Sequence, residues 1–147
     1  MIDKISKELI MSGGSFDYSQ RTIELIADDI EQTILKAGRK IPDVLLEEHQ
    51  HRYSREIPLE EQYYSSYNRK TMEIMKRAVY ILRMAYIYAQ RIDWMLSGDD
   101  GEDDLVRRLN QELHELKTKY PSGKFTFKKK RVRYDDDYGG FREIPDE

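Results

Sequence analysis

The sequence predicts an all-α protein in which three to four helices bundle around one long central helix, followed by a short extended or disordered C-terminal tail. Apolar residues recur at intervals of three and four in several segments, and Gly or Pro residues mark the ends of those segments. A chain of 147 residues is long enough for one domain with a core of its own. We expect the helical bundle to occupy residues 1–120, with a flexible leader and Gly-rich turn at 1–15, and a charged tail to occupy residues 121–147.

The first helix is predicted over about Tyr18–Ala37, where isoleucines form a single apolar stripe: Ile23, Ile26, Ile30 and Ile34. Asp17 or Ser19 is suited to cap its start, and Gly38 to end it. A shorter helix is expected over about Pro42–Tyr53, because proline is favoured at a first helical position.

The central helix is predicted over Leu59–Leu96, which contains no Gly or Pro and would reach roughly 55 Å. Two apolar stripes run along it, namely Met72, Met75, Val79, Leu82, Tyr86 and Ala89, and Ile74, Ala78, Ile81, Ala85, Tyr88, Ile92 and Met95. So wide an apolar arc has to be covered on two sides, either within a bundle or across a dimer, and we expect a homo-oligomer. A last helix is predicted over about Glu102–Tyr120, with a leucine stripe.

Composition excludes several classes of protein. The chain contains no Cys, which rules out disulfides and thiolate metal sites and fits a reducing, cytoplasmic compartment. Its longest apolar stretch is interrupted by Arg83, Gln90 and Arg91, so no membrane span is predicted. A net charge of −3 argues against non-specific binding of nucleic acid by the chain as a whole.

A Gly-rich segment precedes the first helix, with the sequence MSGGSFDY over Met11–Tyr18. Such a backbone can present free N–H groups to an anion, which gives Ser12, Gly13, Gly14 and Ser15 as candidate ligand residues. It lacks the P-loop pattern, and assistance would come from Arg21, Arg83 and Arg91. The alternative is a tight turn that packs Phe16 and Tyr18 on the bundle or offers them to a partner protein.

Asp93 and Trp94 follow the wide apolar arc of the central helix. An acid at a heptad position is costly to bury unless it is paired, and Arg21 and Arg91 are candidate partners. Under that interpretation Trp94 is a packing anchor. The alternative is that Asp93 and Trp94 lie against the Gly-rich turn and form a ligand- or partner-facing patch with it.

Residues 124–133 carry six Lys or Arg in ten positions, interleaved with phenylalanine. The candidate nucleic-acid contacts are Lys128, Lys129, Lys130, Arg131 and Arg133, which suit a phosphate backbone with aromatic stacking. The alternative is a solvated charge run, with Asp135–Asp137 competing for the cations.

No catalytic set and no metal site are predicted. The acidic run Asp99–Asp104 lacks the EF-hand spacing, and Glu48 with His51 makes only one of the two Glu-x-x-His motifs that a di-iron bundle uses. No cofactor is expected. The competing enzyme hypothesis is a metal-dependent, all-helical nucleotide hydrolase that would use clustered acids such as Glu112 and Glu115.

The segment MSGGSFDY and a second motif, IDWMLSGDDG over Ile92–Gly101, resemble small proteins encoded by phages and prophages of bacteria. The resemblance covers roughly Met11–Lys117. It implies an accessory protein that acts inside a bacterial host cell. Such relatives begin at the equivalent of Met11, so that residues 1–10 are expected to be an added leader or to precede the true start of translation.

Taken together, these observations favour a non-enzymatic accessory protein that binds a host protein or a nucleotide signal. Inhibition of bacterial anti-phage defence is the form of this hypothesis that the resemblance implies. The alternatives are the nucleotide hydrolase and a nucleic-acid-binding protein that uses the basic C-terminal segment.

Overall fold

The computed structural model describes residues 14–145. Their element order is α1 (Gln20–Lys36), α2 (Asp43–Tyr53), a 3₁₀ turn (Leu59–Glu61), α3 (Arg69–Leu96), α4 (Glu102–Lys119), a second 3₁₀ turn (Lys129–Arg131), β1 (Val132–Asp135) and β2 (Gly140–Glu143). The described chain is therefore mostly helical with a small C-terminal sheet. The all-α prediction is correct for the helices and wrong for this sheet.

The first helix begins after a turn in which Gly14, Asp17 and Tyr18 all have positive φ. Ser19 holds the capping position, but its side chain makes no capping hydrogen bond, in contrast to our expectation of a side-chain cap from Asp17 or Ser19. Gly38, at φ +69°, ends the helical stretch as predicted.

The central helix is shorter than predicted, since α3 begins at Arg69 and is about 42 Å long. Asn68 caps it by accepting a hydrogen bond from the Thr71 N–H at 2.8 Å. The residues before it are extended because they pair with the loop after α1: the Tyr64 N–H donates to the Arg39 carbonyl, and the Ile41 N–H to the Gln62 carbonyl. The predicted helix thus loses residues 59–68, nearly three turns, to a 3₁₀ turn and to this backbone pairing.

α3 packs antiparallel to α1 along one side and antiparallel to α4 along another. Its Val79 is fully buried in the main core cluster, which takes residues from α1, α3, α4 and the C-terminal segment: Ile34, Leu35, Val79, Leu116, Tyr120, Phe125, Val132 and Phe141. A third side of α3 carries Ile74, Ile81 and Tyr88, which are exposed.

The C-terminal segment is built into this core and contains two strands, which agrees with the extended form of the predicted tail and corrects its disordered form. β1 and β2 form an antiparallel hairpin in which Tyr134 lies opposite Phe141. The Gln32 side chain holds the edge of β2: its amide nitrogen donates to the Phe141 carbonyl at 2.6 Å, and its oxygen accepts from the Phe141 N–H at 2.8 Å. Gly140 leaves the room for this, because a Cβ there would lie 2.8 Å from the Gln32 oxygen.

Candidate functional site

The Gly-rich turn is seated on the C-terminal end of α3 by hydrogen bonds. The Phe16 N–H donates to Asp93 Oδ1 at 3.1 Å, and the Ser15 N–H donates to Ser97 Oγ at 3.1 Å. The Gln20 side-chain amide donates to Asp93 Oδ2 at 3.1 Å. Asp93 is only 4% exposed, and the Phe16 N–H and the Gln20 amide satisfy its buried carboxylate.

This arrangement bears on the anion hypothesis for the turn. The N–H groups of Ser15 and Phe16, which an anion would need, are already bound to a hydroxyl and to a carboxylate of α3. Gly14 is at φ +83°, and a Cβ there would lie 3.1 Å from Asp93 Oδ2. The Asp93 carboxylate therefore accepts a hydrogen bond that an external anion would otherwise accept. Ser12 and Gly13, the other two candidates, lie outside the described residues.

All three arginines proposed to assist an anion are paired with acids. Arg21 binds Glu24 on the surface of α1. Arg83 bridges Asp28 at 2.7 Å and Glu31 at 2.9 Å, which ties α3 to α1. Burial alone would lower the pKa of Arg83, but the hydrogen bonds and charges of these two carboxylates together raise it.

The third, Arg91, is the centre of a buried ionic cluster at the start of α4. Its guanidinium lies 3.5 Å from Asp100 and 3.2 Å from Glu112, although the Nε–H is not directed at Glu112 for a hydrogen bond. Arg108 also binds Asp100, at 3.2 Å. The guanidinium stacks on the Trp94 ring with 4.5 Å to its centroid. These contacts join α3 to α4.

Asp93 and Trp94 therefore belong to two different environments. The prediction that Asp93 lies against the Gly-rich turn agrees with the geometry, whereas its alternative partners, Arg21 and Arg91, are bound to other acids. Trp94 lies with Arg91 and the turn that leads into α4. Phe16 and Tyr18 are both exposed at the turn, so both are accessible to a partner.

A basic cleft at the other end of α3 was missed in the sequence. It measures about 820 Å³, opens to solvent, and lies between the first turns of α3 and the loop after α4; its lining is Arg69, Lys70, Glu73, Ile74, Arg77, Ser122, Gly123 and Lys124. Within residues 14–145, Arg69, Lys70 and Arg77 have no hydrogen-bond or ion-pair partner. We call this the α3 cleft.

The α3 cleft is closed on one side by the start of the C-terminal segment. The Phe125 N–H donates to the Lys76 carbonyl at 2.9 Å, and the Lys124 ammonium binds Glu73 at 2.5 Å. Lys124 and Lys76 lower the pKa of Glu73 by hydrogen bonding to its carboxylate. Among the residues that the structure describes, Glu73 is the single acid in the lining, so these residues give the cleft a net positive charge.

A second groove continues this basic surface around the start of α3. It shares Arg69 and Glu73 with the α3 cleft and adds Arg39, Lys76 and Lys129, together with the Phe127 ring. Burial lowers the pKa of Arg39, and the nearby positive charge of Arg133 lowers it further.

Of the predicted nucleic-acid contacts, Lys129 thus reaches a basic groove. Lys128, Lys130 and Arg133 are exposed beside it, and Arg131 is half-buried. Asp135 does not compete for these lysines, because it binds Arg142 across the hairpin and accepts the N–H groups of Asp137 and Tyr138.

The spacing of residues along α3 could have indicated part of the α3 cleft from the sequence. Lys70, Ile74 and Arg77 follow one another at intervals of four and three, which places them on one face. The contribution of Ser122–Lys124 carried no such signal, because it depends on how the loop after α4 folds back on α3.

Comparisons of the chain with protein-family models, with curated proteins and with solved structures find no match. Across residues 14–145, no group of three or more His, Asp or Glu side chains is placed to hold a metal ion. In the same part of the chain no helix combines the length and the apolar character needed to cross a bilayer. The candidate site therefore rests on geometry and charge, and both favour the α3 cleft.

Proposed function

We propose that the protein is a non-enzymatic binding protein that captures a phosphate-bearing ligand in the α3 cleft, with a nucleotide signal as the candidate. The observation that carries this proposal is that three cations in one open cleft, Arg69, Lys70 and Arg77, have no ion-pair partner within residues 14–145. Cations without an acidic partner remain free to bind a ligand's charge, whereas the paired arginines near the C-terminal end of α3 do not.

The chemistry of the lining supports a ligand with both charged and apolar parts. An arginine guanidinium can donate two hydrogen bonds to two oxygens of one phosphate, and a lysine ammonium adds a localised positive charge. Ile74 and the stems of the basic side chains provide apolar surface beside these charges. The cleft volume of about 820 Å³ lies in the range of small-molecule sites.

The resemblance to phage and prophage proteins supplies the biological form of the proposal. A protein of that kind would act in an infected bacterial cell by sequestering a host nucleotide signal, and it would thereby inhibit anti-phage defence. Binding of a host protein through the exposed Phe16 and Tyr18 is the other form of the same hypothesis.

A specific observation also favours nucleic acid as a second candidate. Lys129 and Phe127 line the groove that adjoins the α3 cleft, so a phosphate backbone would find basic groups across both. This hypothesis predicts an affinity that falls steeply with salt and that is lost when Lys128–Lys130 are replaced by glutamine. A nucleotide held in the α3 cleft is expected to resist both changes better.

Native mass spectrometry of the protein purified from infected cells tests the proposal. We expect a retained small molecule in the wild type and none in an Arg77→Gln/Lys70→Gln variant. Arg107→Gln, an exposed arginine of α4 whose partner is Asp104, is the matched control and should retain the molecule. Retention by the cleft variant would contradict the site, and turnover of added nucleotides with Mg²⁺ would contradict the non-enzymatic class.

A further inference from the structure

The third face of α3 carries a seam with strict heptad spacing. Its members alternate at intervals of four and three: Ile74, Ala78, Ile81, Ala85, Tyr88, Ile92 and Met95. Ile74, Ile81 and Tyr88 are 62%, 47% and 42% exposed, so α1 and α4 leave these three residues open, and the other four seam residues are half-buried. A sustained seam of this spacing is the pattern of a helix that runs beside another helix in a coiled coil.

We infer that this seam binds a second copy of the same chain, with the two α3 helices antiparallel. The seam consists of two rows of residues. One row is Ile74, Ile81, Tyr88 and Met95, and the other is Ala78, Ala85 and Ile92. In an antiparallel pair, the first row of one helix faces the second row of the other helix. When the two helices overlap along their full length, Ala78 faces Tyr88 of the second copy and Ala85 faces its Ile81. Each alanine then receives a large side chain, and Ile74 meets Ile92, so the seam is complementary to itself.

Charge supports the same orientation. The first turn of α3 carries Arg69 and Lys70, while the turn after α3 and the first turn of α4 carry three acids; none of these side chains has a partner within residues 14–145. The acids are Asp99, Glu102 and Asp103. An antiparallel pair places the basic end of each helix beside the acidic end of the other. A parallel pair would instead place like charges together, which is unfavourable.

The dimer also has a consequence for the α3 cleft. In this register the acidic turn of one copy approaches the basic end of α3 in the other, so it would compete with an anionic ligand. Ala85 lies more than two helical turns from Arg77, which allows dimer formation and cleft binding to be tested separately.

Light scattering of the full chain after size exclusion measures the oligomeric state directly. We expect twice the 17.6 kDa of one chain at micromolar concentrations. An Ala85→Arg variant should run as a monomer, and Asn110→Arg, at an exposed position of α4, should remain a dimer. Circular dichroism reports whether each variant keeps its helices, and Ile81→Lys replaces Ala85→Arg if the latter unfolds.

Cysteine cross-linking tests the orientation, because the chain has no cysteine of its own. We expect a disulfide dimer when the Ala78→Cys and Tyr88→Cys variants are mixed and oxidised, and little from either variant alone. A wild type that stays monomeric would overturn the dimer. Efficient cross-linking of each variant with itself would overturn the antiparallel register.

Discussion

The two ends of α3 differ in whether other residues of the chain bind their charged side chains. At the C-terminal end, Asp93 and Arg91 are buried, and their charged groups are bound by other parts of the chain. At the N-terminal end, Arg69, Lys70 and Arg77 project into an open cleft without a partner in residues 14–145. Buried polar groups that bind each other stabilise a fold, whereas exposed groups without partners are available to a ligand.

This difference leads to opposite expectations for substitutions. Changes at the C-terminal end should cost stability and leave ligand binding intact. Loss of a cation from the α3 cleft should reduce binding and leave stability intact. A residue at either end that had the opposite effect would contradict this difference between the two ends of α3.

Arg91→Ala is expected to have the largest effect, with a loss of about 3–5 kcal/mol in the free energy of unfolding. Removing one member of the cluster leaves the buried Asp100 with Arg108 as its remaining cation. Urea denaturation measures the loss. Arg107→Ala, which removes an exposed ion pair, should cost far less. Equal losses in the two variants would show that the cluster is not structural.

Asp93→Ala should cost about 2–3 kcal/mol, because the Phe16 N–H and the Gln20 amide lose the carboxylate that accepts their hydrogen bonds. Hydrogen exchange at the Phe16 amide should accelerate as well. Asp29→Ala, at an exposed position of α1, is the control. Slow exchange at Phe16 in the Asp93 variant would contradict the seating of the turn.

Gly14→Ala should cost about 1–2 kcal/mol for the left-handed backbone, and more because the new Cβ meets the Asp93 carboxylate at 3.1 Å. Gly139→Ala provides a close comparison, since Gly139 has a similar φ of +75° and no atom within 4 Å of its Cβ position. Thermal unfolding of both variants isolates the carboxylate contact as their difference. A larger loss at Gly139 would reverse our account of the turn.

Glu73→Gln is expected to have the smallest effect on stability and to tighten ligand binding several-fold, since it frees Lys76 and Lys124. The pKa of Glu73 is lowered from its ordinary 4.5. The stability that its ion pairs contribute is therefore present above pH 4.5 and is lost as the pH falls through the lowered value. An NMR titration of the Glu73 carboxyl measures this pKa. A midpoint at or above 4.5 would contradict the pairing.

Much of the helical architecture could be predicted from the sequence, because α1, α3 and α4 depend on the local spacing of apolar residues and on the Gly and Pro residues near the helix ends. The start of α3 could not be predicted in this way. It depends on the backbone pairing of residues 62–65 with the loop after α1, which is a contact between segments that are distant in the sequence. The hairpin was hidden for a related reason. Its apolar residues are separated by blocks of charge, and the Gln32 clamp that holds β2 comes from a helix 109 residues earlier.

The candidate site was less accessible to sequence reasoning. A basic residue on a helix has the same local pattern whether an acid from another helix binds it or not. Arg83 and Arg77 differ in this respect, because α1 supplies Asp28 and Glu31 to the first alone. Only the packed structure distinguishes the paired arginines from the free ones.

We propose that the basic residues at the start of α3 bind phosphate and that the paired arginines do not. Calorimetric titration of the purified full chain with inorganic tripolyphosphate distinguishes the two groups of residues. We expect Arg77→Gln to weaken binding about tenfold, as for a lost charge-assisted hydrogen bond, and Arg21→Gln to leave it unchanged. Loss of binding in the Arg21 variant with none in the Arg77 variant would contradict the account and return the site to the Gly-rich turn.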